Sequence, residues 1–307
     1  MTPAAGPRDR PELVYDDWAA TAQTLHLWTQ VIGKLRMALT PPVNHWWHVP
    51  LYVSPRGLTT TAMPYGGRTV EIAFDFIDHR LDIRCSDGAF EYLSLQPMSV
   101  AAFYREVMAA LDRLGVRVRI WTMPCEIAGA VPFEADEEHA SYDAQAAQRF
   151  WRVLVQADRV MKAFRGRFIG KASPTHFFWG SFDLAVTRFS GRRAPPHPGS
   201  ELAPTSVSLE AYSHEVSSCG FWPGAAGAPA MFYAYAYPQP PGFAHAPVRP
   251  RAAHWDSALG EFVLPYEAMR TARSPDGALL DFLQSTYEAA ADLAHWPRAD
   301  LERTPGA

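Results

Sequence analysis

Apolar residues recur at helical spacing over residues 18–39, directly before two prolines. The recurring positions are Trp18, Leu25, Trp28, Ile32, Leu35 and Leu39. Spacings of three, four and seven place these side chains on one face of a helix. Because Pro41 and Pro42 cannot continue a helix, the pattern predicts an amphipathic helix that ends before them. The aromatic and β-branched residues that follow predict a long strand from Asn44 to Val53.

Alternating apolar residues predict that the first half continues as a set of strands. The residues that share one side are Val70, Ile72, Phe74 and Phe76. A hairpin turn is predicted at residues 87–88, before a returning strand over residues 90–95. Ser99 is predicted to cap a helix that Gly115 ends, and residues 116–120 are predicted to form one more strand.

The second half repeats this order of elements. Asp143 is predicted to cap a helix, and a long strand is predicted over residues 175–191. Large and small residues alternate in MFYAYAYP, which predicts a strand with tyrosines on one face and alanines on the other. Residues 261–266 are predicted to form a strand, and Ser274-Pro275 to begin the last helix.

Both halves therefore show a helix, a long strand, further strands and a helix, which indicates an internal duplication. The alignment that supports it places Asn44-His45-Trp46-Trp47 over Thr175-His176-Phe177-Phe178. We predict an α+β fold, in which two pseudo-symmetric helix-strand-strand-strand-helix halves form one sheet-and-helix domain with a central cleft. The predicted division is a flexible N-terminal segment at 1–17, a first half at 18–135, and a second half at 136–301 with proline-rich loops at 193–204 and 238–256.

Composition narrows the classes of partner. The chain has 307 residues, and 28 Lys and Arg against 32 Asp and Glu give a formal charge of −4. Such a protein mildly repels a polyanion, which argues against nucleic acid and acidic membranes as partners. No uncharged stretch is long enough to span a bilayer, so we expect a cytoplasmic protein. The three cysteines form no C-x-x-C pair, which favours reduced thiols over disulfides or a zinc finger.

Four titratable residues in aromatic or strand-like segments are the candidate catalytic groups. They are His45, His176, His214 and Glu215. His45, His176 and Glu215 also form a candidate ligand set for zinc or non-haem iron, because three protein ligands leave one position open. The alternatives are metal-free acid–base or ligand-binding roles, and core histidines that hydrogen-bond to backbone carbonyls.

Acids and arginines within apolar strands form a second group of candidates. Asp75 and Asp183 need a partner or access to water, and Arg188, Arg192 or Arg56 could supply a buried ion pair. The alternative is substrate recognition, in which Arg188 or Arg192 holds a carboxylate or phosphate with two parallel hydrogen bonds.

Aromatic residues are dense in the segments that hold these histidines. The candidates for contact with a ligand are Trp47, Trp179 and Tyr233. Aromatic walls with a few polar groups are typical of a small-molecule pocket, and they are equally typical of a filled core. No dinucleotide-binding, P-loop or G-x-S-x-G motif is present to choose a reaction.

The chain resembles a family of bacterial proteins that is catalogued only as a domain of unknown function. The segments that carry the likeness are NHWWHVPLYVSPRGLTT, FDFIDH, HFFWGSFDLAVTRFSGR, YSHEVSSCGFWPG and STYEAAADLAHW. The likeness extends over roughly residues 18–301. It implies a single stand-alone domain in soluble bacterial proteins, and it implies no activity, substrate or catalytic residue.

The leading hypothesis is an enzyme that acts on a small molecule in a cleft between the two halves, with a His/Glu site that is metal-dependent or metal-free. The rival is a non-catalytic binding protein or sensor with an aromatic-lined pocket. A structural or interaction module is the third reading. The sequence leaves the reaction, the substrate and the oligomeric state open. Convergence of His45, His176, His214 and Glu215 within about 5 Å would indicate a shared site, because metal ligands lie about 2 Å from one ion.

Overall fold

The computed structural model describes residues 10–199 and 204–304. Within them, helices flank two antiparallel sheets of six strands each, so the fold is α+β. The first half contains α1 (Ala19–Leu39), β1 (Tyr52–Val53), β2 (Gly57–Thr59), β3 (Met63–Tyr65), β4 (Arg68–Asp75), β5 (Arg80–Cys85), β6 (Phe90–Ser94) and α2 (Val100–Arg113). Its sheet has the order β1-β2-β4-β5-β6, and β3 pairs with β4.

The second half contains a sheet of order β11-β12-β10-β9-β8-β7. Its elements are α3 (Ala144–Arg165), β7 (His176–Phe178), β8 (Asp183–Arg193), α4 (Thr205–Ala211), β9 (His214–Trp222), β10 (Met231–Tyr237), β11 (His254–Asp256), β12 (Glu261–Pro265), α5 (Tyr266–Arg270), α6 (Pro275–Leu293) and α7 (Arg298–Leu301). α3 and α6 pack on this sheet, because both contact its central strands.

The helix caps and the first hairpin follow the sequence prediction. The side chain of Ser99 accepts a hydrogen bond from the backbone N–H of Ala102 at the start of α2. Asp143 caps α3 in the same way, with its carboxylate accepting from the N–H groups of Gln145 and Ala146. Gly88 adopts a φ of +90°, as the turn between β5 and β6 requires.

The long strand predicted from Asn44 to Val53 is wrong. Residues Asn44–Trp46 form a 3₁₀ turn, and only Tyr52–Val53 is a strand. Local propensity favoured a strand, but Pro50 has no N–H to donate to a ladder, and His45 and Trp46 turn the chain with φ values of +58° and +62°.

The second long strand and the strand at residues 116–120 also differ from prediction. Residues 175–191 form a hairpin, because a turn at residues 179–182 separates β7 from β8. Residues 116–120 are irregular. The alternation of apolar residues in both segments reports burial on one side, which a turn or a docked loop satisfies as well as a strand does.

Each half contains a helix, an antiparallel meander and a closing helix, and the two sheets meet at their edges. Leu51 and Phe177 exchange two backbone hydrogen bonds there, of 2.9 and 2.7 Å. The two histidines that the alignment superposes differ in local structure, since His45 lies in a turn and His176 in a strand. The internal duplication itself stays a prediction.

The segment predicted as flexible at residues 1–17 lies partly outside the described residues. Within residues 10–17, Arg10 is buried and pairs with Asp276 on α6, and Leu13 is buried as well. The hydroxyl of Tyr266 donates to the carbonyl of Pro11 across 2.7 Å. This part of the segment therefore packs on the second half. Among the described residues, every helix is too short or too polar to cross a bilayer.

Candidate functional site

The second sheet presents a polar, tyrosine-rich surface on the side away from α3 and α6. Arg188 of β8 contacts Phe164 of α3 and Tyr287 of α6, so the neighbours of Arg188 point to the opposite side. The residues of this opposite side that lie side by side on β8, β9 and β10 are Asp183, Ala185, Thr187, Phe189, Val216, Ser218, Gly220, Tyr233, Tyr235 and Tyr237. We call this surface the tyrosine face.

The alternation of tyrosine and alanine in β10 explains how this face forms. Ala234 is buried on the side that α6 approaches, where a small residue lets the helix pack close to the sheet. The ring of Tyr233 extends over the neighbouring strand at Gly220. A Cβ atom added at Gly220 would lie only 2.2 Å from the hydroxyl of Tyr233. Gly220 is thus required for the position of Tyr233.

Three nitrogen bases meet at one end of the tyrosine face, and we call them the basic cluster: His45, Lys171 and His214. Nε2 of His45 lies 2.7 Å from Nζ of Lys171, and the rings of His45 and His214 are 5.7 Å apart. Nδ1 of His45 lies 3.0 Å from the carbonyl oxygen of Ala211 at the end of α4. Two of the four predicted catalytic residues are therefore brought together.

Local backbone features aim these side chains at one another. His45 and Trp46 both have left-handed φ values, which cost non-glycine residues about 1–3 kcal/mol each and are often found at functional sites. The register between β8 and β9 shifts between Phe189 and Arg193, and this irregularity pairs Arg193 with His214. Strain and an irregular ladder thus coincide at the basic cluster.

The hydrogen bonds of His45 assign its protonation. A carbonyl oxygen only accepts and an ammonium group only donates, so Nδ1 carries the proton to Ala211 and Nε2 accepts from Lys171. Burial is the largest cause that lowers the pKa of His45, and the charges of Lys171 and His214 lower it further. The neutral imidazole is therefore the stable form.

The other two members of the cluster are also biased toward their neutral forms. Burial lowers the pKa of Lys171. Burial lowers the pKa of His214 too, followed by the charges of Lys171 and Arg193. In the described residues, no carboxylate forms an ion pair with Lys171, Arg193 or either histidine of the cluster. The site thus gathers basic groups without a negative charge to compensate them.

Aromatic rings flank the lysine. Nζ of Lys171 lies 5.5 Å from the ring centre of Trp47 and 5.1 Å from that of Phe189. The His45 ring also packs on both of these rings, at 5.2 and 4.6 Å. Trp47, a predicted ligand-contact residue, therefore forms a wall of the basic cluster.

Three carboxyl groups lie at the other end of the tyrosine face. Asp183 is buried and accepts hydrogen bonds from the hydroxyls of Ser181 and Tyr233. Solvent reaches Glu126, yet desolvation by the surrounding protein, followed by the charge of Asp183, raises its pKa to about 7. Burial and then Asp183 also raise the pKa of Glu261 to about 7. Asp183 thus pairs with hydroxyl groups rather than with an arginine.

Pairs of hydroxyl groups lie in the middle of the tyrosine face. The hydroxyl groups of Tyr212 and Tyr235 lie 2.9 Å apart, and those of Thr187 and Ser218 lie 2.8 Å apart. Hydrogen-bonding groups therefore lie between the basic cluster and the carboxyl groups.

His176 lies outside the basic cluster. Its ring is fully buried against Phe178, with 4.5 Å between ring centres, and its Nδ1 has no hydrogen-bond partner in the structure. Burial, with a smaller effect of the Arg36 charge, lowers the pKa of His176 to about 3. The residue is an uncharged part of the core.

Glu215 points away from His214, because neighbours in a strand face opposite sides. Its carboxylate accepts from Ser190 at 2.8 Å and pairs with Arg192 at 2.7 Å. Arg192 also donates to the carbonyl of Ala294 just beyond α6. Both residues line a separate cavity of about 360 Å³.

Arg188 and Trp179, predicted as ligand contacts, are core residues. The Arg188 guanidinium lies 3.5 Å from the ring centre of Phe164 and 4.3 Å from that of Tyr287, and burial lowers its pKa to about 10. Trp179 is buried and donates its indole N–H to the carbonyl of Val49 across 2.8 Å. Neither side chain reaches the basic cluster.

The predicted metal ligands do not form a common set. His45 faces Lys171, His176 is enclosed by the core, and Glu215 pairs with Arg192. Across residues 10–199 and 204–304, no group of three or more His, Cys, Asp and Glu could hold a metal ion.

Sequence reasoning missed Lys171, Glu126 and Glu261. Lys171 follows a run of arginines after α3, a pattern typical of a solvated helix end, and Glu126 and Glu261 stand in irregular or ordinary segments. One feature of the sequence could have drawn attention to Lys171, because lysine is rare in this chain and occurs only three times.

Comparison with known proteins places most of the chain in one family. Residues 10–303 match the model of a family described as "Family of unknown function (DUF5996)". No curated protein and no solved structure matches the chain.

Proposed function

We propose that this chain, which belongs to the DUF5996 family of unknown function, is an enzyme that holds a small molecule by an anionic group at the basic cluster. One observation carries the proposal. His45, Lys171 and His214 converge from three distant segments, and no carboxylate compensates them. Converging basic groups without a counter-charge favour the binding of an anion, which stabilises their protonated forms.

The walls of the cluster support a ligand that contacts both the lysine and the aromatic rings. Lys171 is exposed, so an anion can reach its ammonium group, and the rings of Trp47 and Phe189 beside it offer apolar surface. A carboxylate or a phosphate would offer acceptors to the ammonium group of Lys171 and to the imidazole of His214. By linkage, a bound anion would also raise the pKa values of these groups.

Proton transfer is the chemistry that this arrangement offers. His45 is held by two hydrogen bonds, while His214 is half-buried and has only the hydroxyl of Ser213 beside Nδ1, at 3.1 Å. An imidazole needs little perturbation to exchange a proton near neutrality. We assign His45 as the acid–base group, because its Nε2 can exchange a proton with Lys171, and His214 as a group that contacts the anion.

The alternative is a non-catalytic binding protein. The aromatic lining of the tyrosine face favours it, since such walls recognise flat or apolar ligands without chemistry. Substitution separates the two, because His45→Asn should remove turnover and largely spare affinity in an enzyme, and should mainly weaken affinity in a binding protein.

The wider context of the proposal follows from charge and topology. A net charge of −4 and unpaired cysteines support a cytoplasmic protein with a small-molecule ligand rather than nucleic acid. The repeated order of helix, meander and helix supports two pseudo-symmetric halves.

Calorimetric titration with inorganic phosphate tests the proposal. We expect saturable binding that Lys171→Met and His214→Gln each weaken by about tenfold or more, which is about 1.4 kcal/mol. Lys162→Met is the matched control, because it removes the same charge from a lysine on α3 that pairs with Asp158. Equal weakening by Lys162→Met, or no saturable binding, would overturn the proposal.

A further inference from the structure

We infer that Lys171 is a nucleophile that forms an imine with the carbonyl group of an anionic carbonyl compound, of which the 2-oxo acids are the simplest class. The inference rests on the proposed function, because it takes the anion site as the place where the carboxylate of such a substrate is held. It adds a covalent step and a substrate class.

Lys171 differs from the other two lysines of the chain in its partner. Lys162 is paired with the carboxylate of Asp158 at 2.6 Å, and Lys34 donates to the carbonyl of Met123 at 2.7 Å. Lys171 instead donates to an imidazole nitrogen, Nε2 of His45, at 2.7 Å. The carboxylate of Asp158 stabilises the ammonium form of its lysine by charge, and the carbonyl of Met123 cannot take a proton at neutral pH. The neutral imidazole of His45 has no negative charge and can accept a proton from Lys171.

Other positive groups near Lys171 disfavour its ammonium form. After burial, the charges of Lys171 and Arg193 lower the pKa of His214, and by the same repulsion a protonated His214 disfavours the charge of Lys171. Burial lowers the pKa of the Lys171 ammonium. An arginine at this position would stay protonated and could not act as a nucleophile, whereas a lysine can.

The step balances without an external oxidant or reductant. The ammonium group of Lys171 first gives a proton to Nε2 of His45. The amine lone pair then forms a C–N bond to the carbonyl carbon, the carbonyl electron pair moves to oxygen, and one proton passes from that nitrogen to the oxygen. The proton held by His45 converts the resulting hydroxyl group into water as the C–O bond breaks. One water leaves, and the product is a protonated imine between Lys171 and the substrate. His214 lies beside His45 and can hold the substrate carboxylate.

Reductive trapping of the full-length protein with pyruvate and sodium cyanoborohydride, followed by peptide mass mapping, tests the inference. We expect one reduced pyruvyl group on the peptide that contains Lys171. Lys162, whose side chain is 60% exposed, is the internal control and should carry at least tenfold less label. Lys171→Arg should abolish the modification, and His45→Asn, which suits the left-handed backbone at this position, should slow it.

The outcomes separate this inference from the proposed function. Phosphate binding that depends on Lys171, without label on Lys171 above that on Lys162, would overturn the imine and leave the anion site standing. A further outcome is that Lys171 is labelled as fast with acetone as with pyruvate and that the protein does not bind phosphate. This outcome would support Lys171 as a nucleophile and overturn the anion site. Equal labelling of all lysines without phosphate binding would overturn both.

Discussion

Nζ of Lys171 donates a hydrogen bond to Nε2 of His45 across 2.7 Å, although 126 positions separate the two residues in the chain. The contact fixes the orientation of both side chains, because the other ring nitrogen of His45 donates to Ala211. Together with the hydrogen bond from His45 to Ala211, it links the first and the second half at the candidate site.

Removal of the Lys171 charge should raise the pKa of His45. The charge of Lys171 disfavours the imidazolium, so Lys171→Met relieves that repulsion, while burial continues to hold the pKa below its ordinary value. NMR titration of ring-labelled histidines measures the change. Lys162→Met should leave the His45 resonance unaffected, and an unchanged or lower pKa in Lys171→Met would contradict the structure.

His176 should make the protein sensitive to acid. Its pKa is lowered from 6.5 to about 3. Between about pH 6.5 and pH 3, His176 is therefore protonated in the unfolded chain and neutral in the folded chain. Stability is therefore present above pH 6.5 and is lost as the pH falls toward 3.

His176→Phe should remove this loss. Between pH 7 and pH 5 the free energy of unfolding should fall by about 2 kcal/mol less in the variant than in the parent protein. Urea denaturation at pH 7 and pH 5 measures the free energy of unfolding of both proteins. The change between pH 7 and pH 8 is the internal control, because His176 is neutral in both the folded and the unfolded chain there. If the free energy of unfolding changes equally with pH in His176→Phe and in the parent protein down to pH 5, the His176 ring is not buried.

Arg188→Ala should destabilise the protein without weakening phosphate binding by the folded fraction. The guanidinium fills the space between Phe164, Phe168 and Tyr287, and its loss leaves a cavity worth about 3 kcal/mol or more. Urea denaturation measures the first effect and calorimetry the second. A stable variant with weakened phosphate binding would instead indicate a ligand anchor.

Asp183→Asn should lower the pKa values of both Glu126 and Glu261. The charge of Asp183 contributes to raising each of them to about 7, after the larger effect of desolvation. The amide can still accept from the hydroxyl of Tyr233, which limits structural damage. Carbon-13 NMR of labelled glutamate carboxyl groups follows both titrations, and two unshifted glutamates would contradict the proximity of the three groups.

The helices and hairpin signals were readable from local pattern, while the site was not. Capping by Ser99 and Asp143 depends on neighbours within three residues, so short-range chemistry determines it. The role of Arg188 depends on rings from α3 and α6, which no spacing along β8 encodes. The sequence around Lys171 does not reveal its role, because its partners His45, Trp47 and Phe189 lie far from it along the chain.

The sequence by itself determined the long helices, several strand segments and the net charge of −4, because periodicity and caps act locally and charge is a sum over residues. Only the tertiary structure decided which titratable groups share an environment. His45 and His214 meet at Lys171, whereas His176 and Glu215 are turned to other partners. The physical reason is that strand pairing and turn direction set the facing of each side chain, and both depend on contacts between distant segments.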